Sequence, residues 1–288
     1  MLRRGDTTSA NALPVGRGCF GADNGGMQSV FASVCLVLFA SGCGEGGEAE
    51  PRELRVAAAS SLRELVQETA LEFEAAHPGA SLRFSFAASS TLARQLEAGA
   101  SYDVFLSADA ECLSRLGTLL EPQQTFLSNR MALVATPRAI AGGSKSSRSG
   151  ELGELVRELN GGENSWIAIA APSVPAGRYA RELLSGAGLL ASLEARFVLG
   201  DNERKTLSLV QSGAATLGFV YLSDHRIAGS TELRWSSGAG APPSIRYFAA
   251  VRGGTTEAAR GALDYVSWLQ SEEFQAAAEA RGFSRWRP

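Results

Sequence analysis

Residues 85–109 read SFAASSTLARQLEAGASYDVFLSAD and contain a strand, a turn, a helix and a second strand in succession. The stretch begins inside SLRFSF at 81–86, where the alternation of apolar and polar residues predicts a strand. The small and hydroxyl residues at 88–91 are typical of a helix start, so a helix is expected over LARQLEAGA. Residues 103–107, DVFLS, predict a buried strand, and the whole stretch therefore indicates an α/β fold.

The alternation of strands and helices continues along the chain in both directions. Further strands are predicted at 54–59, 131–135, 166–170, 195–199, 217–221 and 245–251. Further helices are predicted at 62–76, 151–159, 177–187, 204–212 and 256–281, the last with a break near Ser271. The composition predicts surface loops at 142–150 and 229–244. This order predicts mainly parallel sheets in two three-layer lobes, with a ligand site beyond the carboxyl ends of the strands.

The composition narrows the classes of function. The chain has 288 residues, a formal net charge of -3, two His and four Cys. The slightly acidic balance disfavours a nucleic-acid binder, for which a basic excess is typical. So few Cys and His residues exclude a Cys-rich zinc scaffold and a dense disulfide framework.

The first 42 residues are predicted to be an export signal of the lipoprotein type. The apolar run at 30–40 is too short to span a bilayer as a helix, but it is typical of a signal-peptide core. It leads into Ala40-Ser41-Gly42-Cys43, which resembles a bacterial lipoprotein cleavage box with Cys43 as the lipidated residue. Residues 43–51 are then a flexible polar tether. The alternative is a buried apolar segment beside a chance Cys.

Cleavage after residue 42 changes both the charge and the cysteine count of the chain. It removes three Arg and two Asp, so the mature chain carries a net charge of -4. Cys112 is then the one cysteine left without lipid, and no intrachain disulfide is expected. We expect Cys112 to be a small buried apolar residue.

Four turns after predicted strands place small or polar residues at a helix start, at 59–61, 88–91, 175–177 and 201–203. A helix N-terminus offers unpaired backbone N–H groups and about half a positive charge, which makes it a ready anion site. Serine hydroxyls add neutral donors. The alternative at each turn is that the serine is only an N-cap, and Ser61 to Glu64 has the spacing of a capping box.

Four motifs together resemble the molybdate-binding receptors of bacterial ABC importers. They are AAASSL at 57–62, the stretch at 85–109, VPAGRYA at 174–180 and LGFVYLSD at 217–224. The resemblance implies a type II periplasmic-binding-protein fold with a ligand cleft between two lobes. Transferred by motif spacing, lobe 1 comprises 52–130 plus 246–288, and lobe 2 comprises 131–245.

The same resemblance implies the residues that bind the oxyanion. Ser61 and Ser89 match the serines that donate a hydroxyl and a backbone N–H. Ala176 and Glu203 match positions that donate a backbone N–H, and Tyr221 matches the tyrosine that donates its phenol. The implied ligand is molybdate, often also tungstate, and molybdenum enters the site only as this oxyanion.

Two positions depart from the family pattern. Glu203 stands where an apolar residue is common, and a carboxylate facing a dianion would be destabilising. The predicted site therefore requires its side chain to point outward, for example toward Arg204 or Lys205. Ser60 stands where Ala is usual, and it is either an extra donor or the polar end of a strand. The alternation of side chains along a strand favours the polar end.

The resemblance implies an extracytoplasmic receptor, not an enzyme, that delivers molybdate or tungstate to an ABC-type permease. It further implies a monomer without a cofactor and with no nucleic-acid partner, and the lipid on Cys43 would hold it to a membrane. Neutral donors favour fully ionised tetrahedral anions, because the O–H of a protonated one would lack a partner. Two alternatives stay open, namely a receptor of the same fold for another tetrahedral oxyanion such as sulfate, and a hydrolase that pairs a serine with His225.

Overall fold

The computed structural model describes residues 52–136, 152, 166–238, 241, 243–253 and 257–286. The predicted signal peptide, Cys43 with its tether and the loop at 142–150 lie outside these ranges, as does the predicted helix at 151–159 except for Leu152. No helix within the described ranges is long and apolar enough to cross a membrane.

The strands and helices follow one another in the alternating order that the sequence predicts. The strands are β1 Arg52–Ala59, β2 Ala80–Ala87, β3 Val104–Ser107, β4 Leu120–Asn129, β5 Met131–Ala135, β6 Ile167–Ala170, β7 Phe197–Gly200, β8 Leu217–Tyr221, β9 Glu232–Ser236, β10 Ile245–Arg252 and β11 Ser284–Arg285. The helices are α1 Arg63–Ala76, α2 Ser89–Glu97, α3 Ala110–Ser114, α4 Pro175–Gly186, α5 Leu190–Leu193, α6 Glu203–Gln211, α7 Leu222–Ala228, α8 Glu257–Trp268 and α9 Glu272–Ala280.

These strands form two sheets. The first has the order β11-β4-β10-β3-β1-β2, and the second has the order β7-β6-β8-β5-β9. In the first sheet β1 pairs in parallel with β2 and β3, whereas β10 runs antiparallel to β3 and β4. In the second sheet β6 pairs in parallel with β7 and β8, whereas β5 runs antiparallel to β8 and β9.

The expectation of mainly parallel sheets is therefore wrong, because both sheets are mixed. The reason lies in the two places where the chain passes between them. The chain leaves the first sheet through β4, crosses at Arg130 and enters the second sheet directly through β5. It returns from β9 to β10. Two neighbouring strands pair in parallel when a crossover connection, usually a helix, joins them. A strand that connects the two sheets lacks this crossover, so it pairs antiparallel.

Helices bury one face against each sheet, as their sequence period predicts. In α1 the buried side chains recur every three or four residues, at Leu65, Val66, Thr69, Ala70 and Phe73. The Phe73 ring meets the edge of Tyr265 in α8, with ring centroids 5.0 Å apart. Burial of each large apolar side chain stabilises the fold by about 1.5–3 kcal/mol.

The terminal helix breaks where the sequence predicts. α8 ends at Trp268 and α9 begins at Glu272. Ser271 is the N-cap of α9, and its hydroxyl oxygen accepts a hydrogen bond from the Phe274 backbone N–H at 3.2 Å. The N-cap satisfies one of the free N–H groups of the new helix, so the break costs little.

Three strands were not predicted as such. β4 carries polar residues and a proline in LEPQQTFLSN, which hide its alternation. β9 lies inside the stretch 229–244 that the composition predicts as a loop, so this prediction is wrong for Glu232–Ser236. β11 has only two residues, too few for a pattern. The edge strands β9 and β11 exist because a neighbouring strand supplies their hydrogen bonds.

Candidate anion-binding site

The five predicted ligand residues lie at the carboxyl ends of strands. Ser61 follows β1, Ser89 follows β2, Ala176 follows β6, Glu203 follows β7 and Tyr221 ends β8. None of them is more than 1% exposed to solvent. Parallel strands end at a common edge of their sheet, which is where open α/β folds bind ligands.

Ser61 is held by a tyrosine from the returning strand and not by a helix cap. Residues Ser60–Leu62 form a 3₁₀ turn before α1, and neither the turn nor α1 has a side-chain cap. The Ser61 hydroxyl lies 2.9 Å from the Tyr247 hydroxyl. The Tyr247 oxygen also accepts a hydrogen bond from Asn129 Nδ2 at 3.1 Å. The capping-box interpretation of Ser61 is therefore wrong.

Ser89 is the first residue of α2, and its hydroxyl likewise does not cap the helix. The N-cap is Ala88, which has no side chain able to accept a hydrogen bond. Ser89 Oγ instead accepts from the Ala108 backbone N–H at 3.0 Å. Because the oxygen is the acceptor in this bond, the Ser89 O–H proton stays available to a ligand.

Ala176 lies in the first turn of α4, which packs directly on the end of β6. A Cβ atom at the next residue, Gly177, would lie 2.2 Å from the carbonyl oxygen of Ala171 and 2.3 Å from that of Ala170. Only glycine permits this approach. The backbone N–H groups at the start of α4 are thereby held at the strand end.

Tyr221 has a buried hydroxyl for which the described residues supply no hydrogen-bond partner. Its ring meets the Tyr247 ring edge-on, with centroids 6.3 Å apart. Burial raises the pKa of Tyr221 well above its ordinary value, and Glu203, Tyr247 and Tyr179 act in the same direction. The phenol therefore keeps its proton and is a donor at neutral pH.

Glu203 begins α6, and its side chain points inward. The N-cap Asn202 accepts from the Lys205 backbone N–H at 2.8 Å, which fixes the start of the helix. Glu203 Oε2 accepts a hydrogen bond from the Ser60 hydroxyl at 2.5 Å. The outward orientation that the sequence-based site required, toward Arg204 or Lys205, is thus wrong, and Ser60 is more than the polar end of a strand.

The neighbouring residue Arg204 joins two carboxylates from different elements. It contacts Glu64 in α1, and its Nε lies 3.5 Å from Asp224 Oδ1. Asp224 is fully buried. Burial raises the pKa of Asp224 to about 7, although the positive charge of Arg204 opposes the shift. Together with the Ser60–Glu203 bond, this contact ties α6 to the start of α1.

A second set of contacts ties α4 to the end of β3. Arg178 forms ion pairs with Asp109 and, at 3.2 Å, with Glu111. The Tyr179 hydroxyl donates to the Ala108 carbonyl oxygen at 3.2 Å. Ala108 thus contacts both Ser89 and the helix that carries Ala176. The carboxyl ends of β2, β3 and β6 are joined through this one peptide.

Sequence reasoning assigned no role in this region to Tyr247 or Asn129. Asn129 Nδ2 donates to Ser223 Oγ at 2.8 Å as well as to Tyr247, at the point where the chain leaves the first sheet. Tyr247 lies in the apolar strand IRYFAAVR, where its pattern is that of a core residue. The one signal in the sequence was that Asn129 ends a polar stretch. The roles of Asn129 and Tyr247 depend on partners far away in the sequence, so no local pattern reveals them.

His225 and Cys112, which the sequence analysis also considered, have other contacts. His225 Nδ1 lies 2.9 Å from the Thr231 hydroxyl, and burial lowers its pKa. Cys112 is buried as expected, and burial together with Asp109 raises its pKa to about 12, so the thiol stays protonated. Among the described residues, no group of three or more His, Cys, Asp or Glu could hold a metal ion.

A family comparison identifies the class of protein. The family model of the bacterial extracellular solute-binding proteins matches residues 54–284. The chain belongs to this family. Its members are receptors that act outside the cytoplasm, and the matched residues include every strand end described above.

Individual relatives are similar over most of their length. The molybdate-binding protein ModA of Escherichia coli strain K12 is 33% identical over 201 residues, 68% of this chain and 74% of the relative. ModA of Haemophilus influenzae is 28% identical over 237 residues, 81% of this chain and 90% of the relative. The periplasmic molybdate-binding protein of Azotobacter vinelandii has a solved structure with 25% identity and a TM-score of 0.68, covering 81% of this chain and 100% of that chain. The resemblance and the type II periplasmic-binding-protein fold are confirmed.

Proposed function

We propose that this receptor captures molybdate, and also tungstate, and delivers it to an ABC-type permease. The ligand would contact the hydroxyls of Ser61, Ser89 and Tyr221 and the backbone N–H groups of Ala176 and Glu203. The names of the relatives and the chemistry of these donors support the ligand class. No resident cofactor or coordinated metal ion is needed, because the donors contact oxyanion oxygens.

The single observation that carries the proposal is the buried hydroxyl of Tyr221, which has no hydrogen-bond partner among the described residues. A buried O–H donor without an acceptor costs about 1–3 kcal/mol. At a ligand site, the bound anion would supply this acceptor. Tyr221 lies at a strand end against Tyr247, which itself contacts Ser61, so an oxyanion bound to Tyr221 reaches the proposed serine donors.

The neighbouring hydrogen bonds orient the serines for donation. Asn129 donates to the Tyr247 oxygen, so the Tyr247 proton can go to Ser61 Oγ, and the Ser61 proton is then free for the ligand. Ser89 Oγ accepts a hydrogen bond from the Ala108 N–H, which likewise leaves the Ser89 proton free for the ligand. Arg178 and Arg204 are held by carboxylates, so the proposed donors are all neutral. Such a site favours an oxyanion whose oxygens are all acceptors, while cavity size distinguishes molybdate from sulfate.

The two lobes of the receptor would follow the two sheets, at 52–130 plus 246–288 and at 131–245. A hinge at the two chain crossings would let the lobes close, and ligand binding would favour the closed form. The contacts Ser60–Glu203, Glu64–Arg204 and Asp109–Arg178 join residues assigned to different lobes, so they would stabilise the closed form with or without ligand.

The site would operate on the outer face of a membrane. Residues 1–42 would direct export, and a lipid on Cys43 would anchor the chain through the tether at 43–51. A monomer fits this role, because all five proposed ligand residues come from one chain. We propose binding without turnover, since His225 contacts Thr231 through Nδ1.

Ser89→Ala tests the proposed function directly. We expect molybdate binding to weaken by about 1.5–3 kcal/mol, the range for a hydrogen bond to a charged group. Titration calorimetry of the purified protein measures the change. The exposed Ser192, whose hydroxyl donates to the Leu189 carbonyl oxygen, gives the control Ser192→Ala with unchanged affinity. An unchanged affinity for Ser89→Ala would remove Ser89 from the site.

A further inference from the structure

The two carboxyl oxygens of Glu203 differ in their hydrogen bonding. The side chain is 1% exposed, and Oε2 accepts the Ser60 hydrogen bond. Oε1 is buried and has no hydrogen-bond partner among the residues that the structure describes. The carboxyl also raises the pKa of the proposed ligand Tyr221, so it lies near this donor and not on the outer surface.

The buried surroundings of Glu203 disfavour an ionised carboxylate. Among the described residues, the cation that acts on Glu203 is Arg204, whose charge is shared with Glu64 and Asp224. Asp201 lies on the preceding turn, and Tyr221, Tyr247 and Asp224 face Glu203 from β8, β10 and α7. Burial is the largest effect on Glu203 and raises the pKa of the carboxyl, while the hydrogen bonds from Ser60 and from its own backbone N–H and the charge of Arg204 act in the opposite direction. A buried carboxyl without a paired cation is most stable as the neutral acid.

We propose that Glu203 is a specificity-determining ligand residue that donates its Oε1 proton to the bound oxyanion while Ser60 holds Oε2. The inference rests on the proposed function and adds a side-chain contact to the backbone N–H contact already proposed for Glu203. A hydrogen bond from a neutral acid strengthens with the basicity of the acceptor. Molybdate and tungstate oxygens are more basic than those of sulfate, so this donor favours them independently of size.

A proton accompanies the ligand in this arrangement. A dianion beside Glu203 stabilises the acid form further, so any fraction ionised in the free protein takes up a proton on binding. No bond of the oxyanion is broken, and the proton comes from solvent. Affinity for molybdate should therefore fall as the pH rises above the pKa of the free carboxyl.

The test compares Glu203→Gln and Glu203→Val with the wild type by calorimetry at pH 6 and pH 8.5, with molybdate and with sulfate. Glutamine keeps a neutral donor, so its molybdate affinity should not depend on pH and at pH 8.5 should equal or exceed the wild-type value. Valine removes the donor, and we expect at least about tenfold weaker molybdate binding at pH 6 with a smaller loss for sulfate. Proton uptake, read from buffers of different ionisation enthalpy, should be larger at pH 8.5 than at pH 6 in the wild type and should vanish in Glu203→Gln.

Two further variants separate the role of a ligand from a structural role. Ser60→Ala keeps the carboxyl but removes its anchor, so proton uptake should persist while molybdate affinity falls. Glu273→Gln, an exposed Glu to Gln change in α9, should match the wild type in every reading. If Ser60→Ala and Glu203→Val lowered the melting temperature alike and left pH dependence and selectivity unchanged, the bond would be structural and the inference wrong.

Two further outcomes would overturn the inference. Molybdate binding by Glu203→Val as tight as or tighter than the wild type at both pH values would overturn the inference while leaving the proposed function intact. A wild-type protein that binds none of the tetrahedral oxyanions would overturn both.

Discussion

Tyr221→Phe should stabilise the ligand-free protein and at the same time weaken molybdate binding by about 3 kcal/mol, roughly 150-fold. The two effects have one cause. The Tyr221 hydroxyl is fully buried without a partner in the described structure, so its removal relieves a desolvation cost of about 1–3 kcal/mol. In the proposed complex the same hydroxyl would donate to the oxyanion, and phenylalanine could not replace that bond. Thermal unfolding without ligand and calorimetric titration measure the two effects separately.

Tyr265→Phe is the matched control. The Tyr265 hydroxyl is also buried without a partner among the described residues, but it lies in α8, where its ring packs against Phe73 and Trp268. This variant should gain stability in the same way and bind molybdate like the wild type. Equal binding by both variants would show that the Tyr221 hydroxyl does not meet the ligand, and the observation on which the proposed function depends would lose its meaning.

Gly177→Ala should cause a loss of both stability and binding. The added Cβ would lie far inside contact distance of the two backbone oxygens of Ala170 and Ala171, and neither can move without distorting β6. The start of α4 must shift, which we expect to destabilise the fold by about 1–3 kcal/mol. The Ala176 N–H shifts with it, so molybdate affinity should fall roughly 100-fold, because hydrogen bonds to the anion weaken steeply with misplacement. Denaturant unfolding and calorimetry measure the two losses.

Gly186→Ala provides the comparison within the same helix. A Cβ at this last residue of α4 meets nothing within 4 Å, and alanine there reduces the freedom of the unfolded chain. Its stability should therefore equal or slightly exceed that of the wild type, and its molybdate affinity should not change. If Gly177→Ala behaved like Gly186→Ala, the close packing of α4 on β6 would not position the site.

The elements of the fold could be predicted largely from local patterns. The alternating strand at 81–86 and the buried strand at 103–107 both form, with α2 between them. Their carboxyl ends could be placed at the proposed ligand site by the general rule for open sheets. β4 could not be predicted, because its stability comes from pairing with β10, more than 100 residues later in the chain.

The interactions within the site depend on partners that no local pattern reveals. Ser61 has the spacing of a capping box, but its hydroxyl contacts Tyr247, 186 residues away. Glu203 would normally be expected in water, yet the Ser60 hydroxyl, 143 residues away, draws its carboxyl inward. In both cases a buried partner outweighs the local preference, because an unpaired polar group inside the protein is costly.

The central claim is that the chain binds tetrahedral oxyanions with a preference for molybdate and tungstate. Calorimetric titration of the purified protein with molybdate, tungstate and sulfate under identical conditions tests it most directly. We predict one molybdate or one tungstate per chain, with sulfate bound far more weakly. Equal affinity for sulfate and molybdate, or no binding of either, would contradict the account.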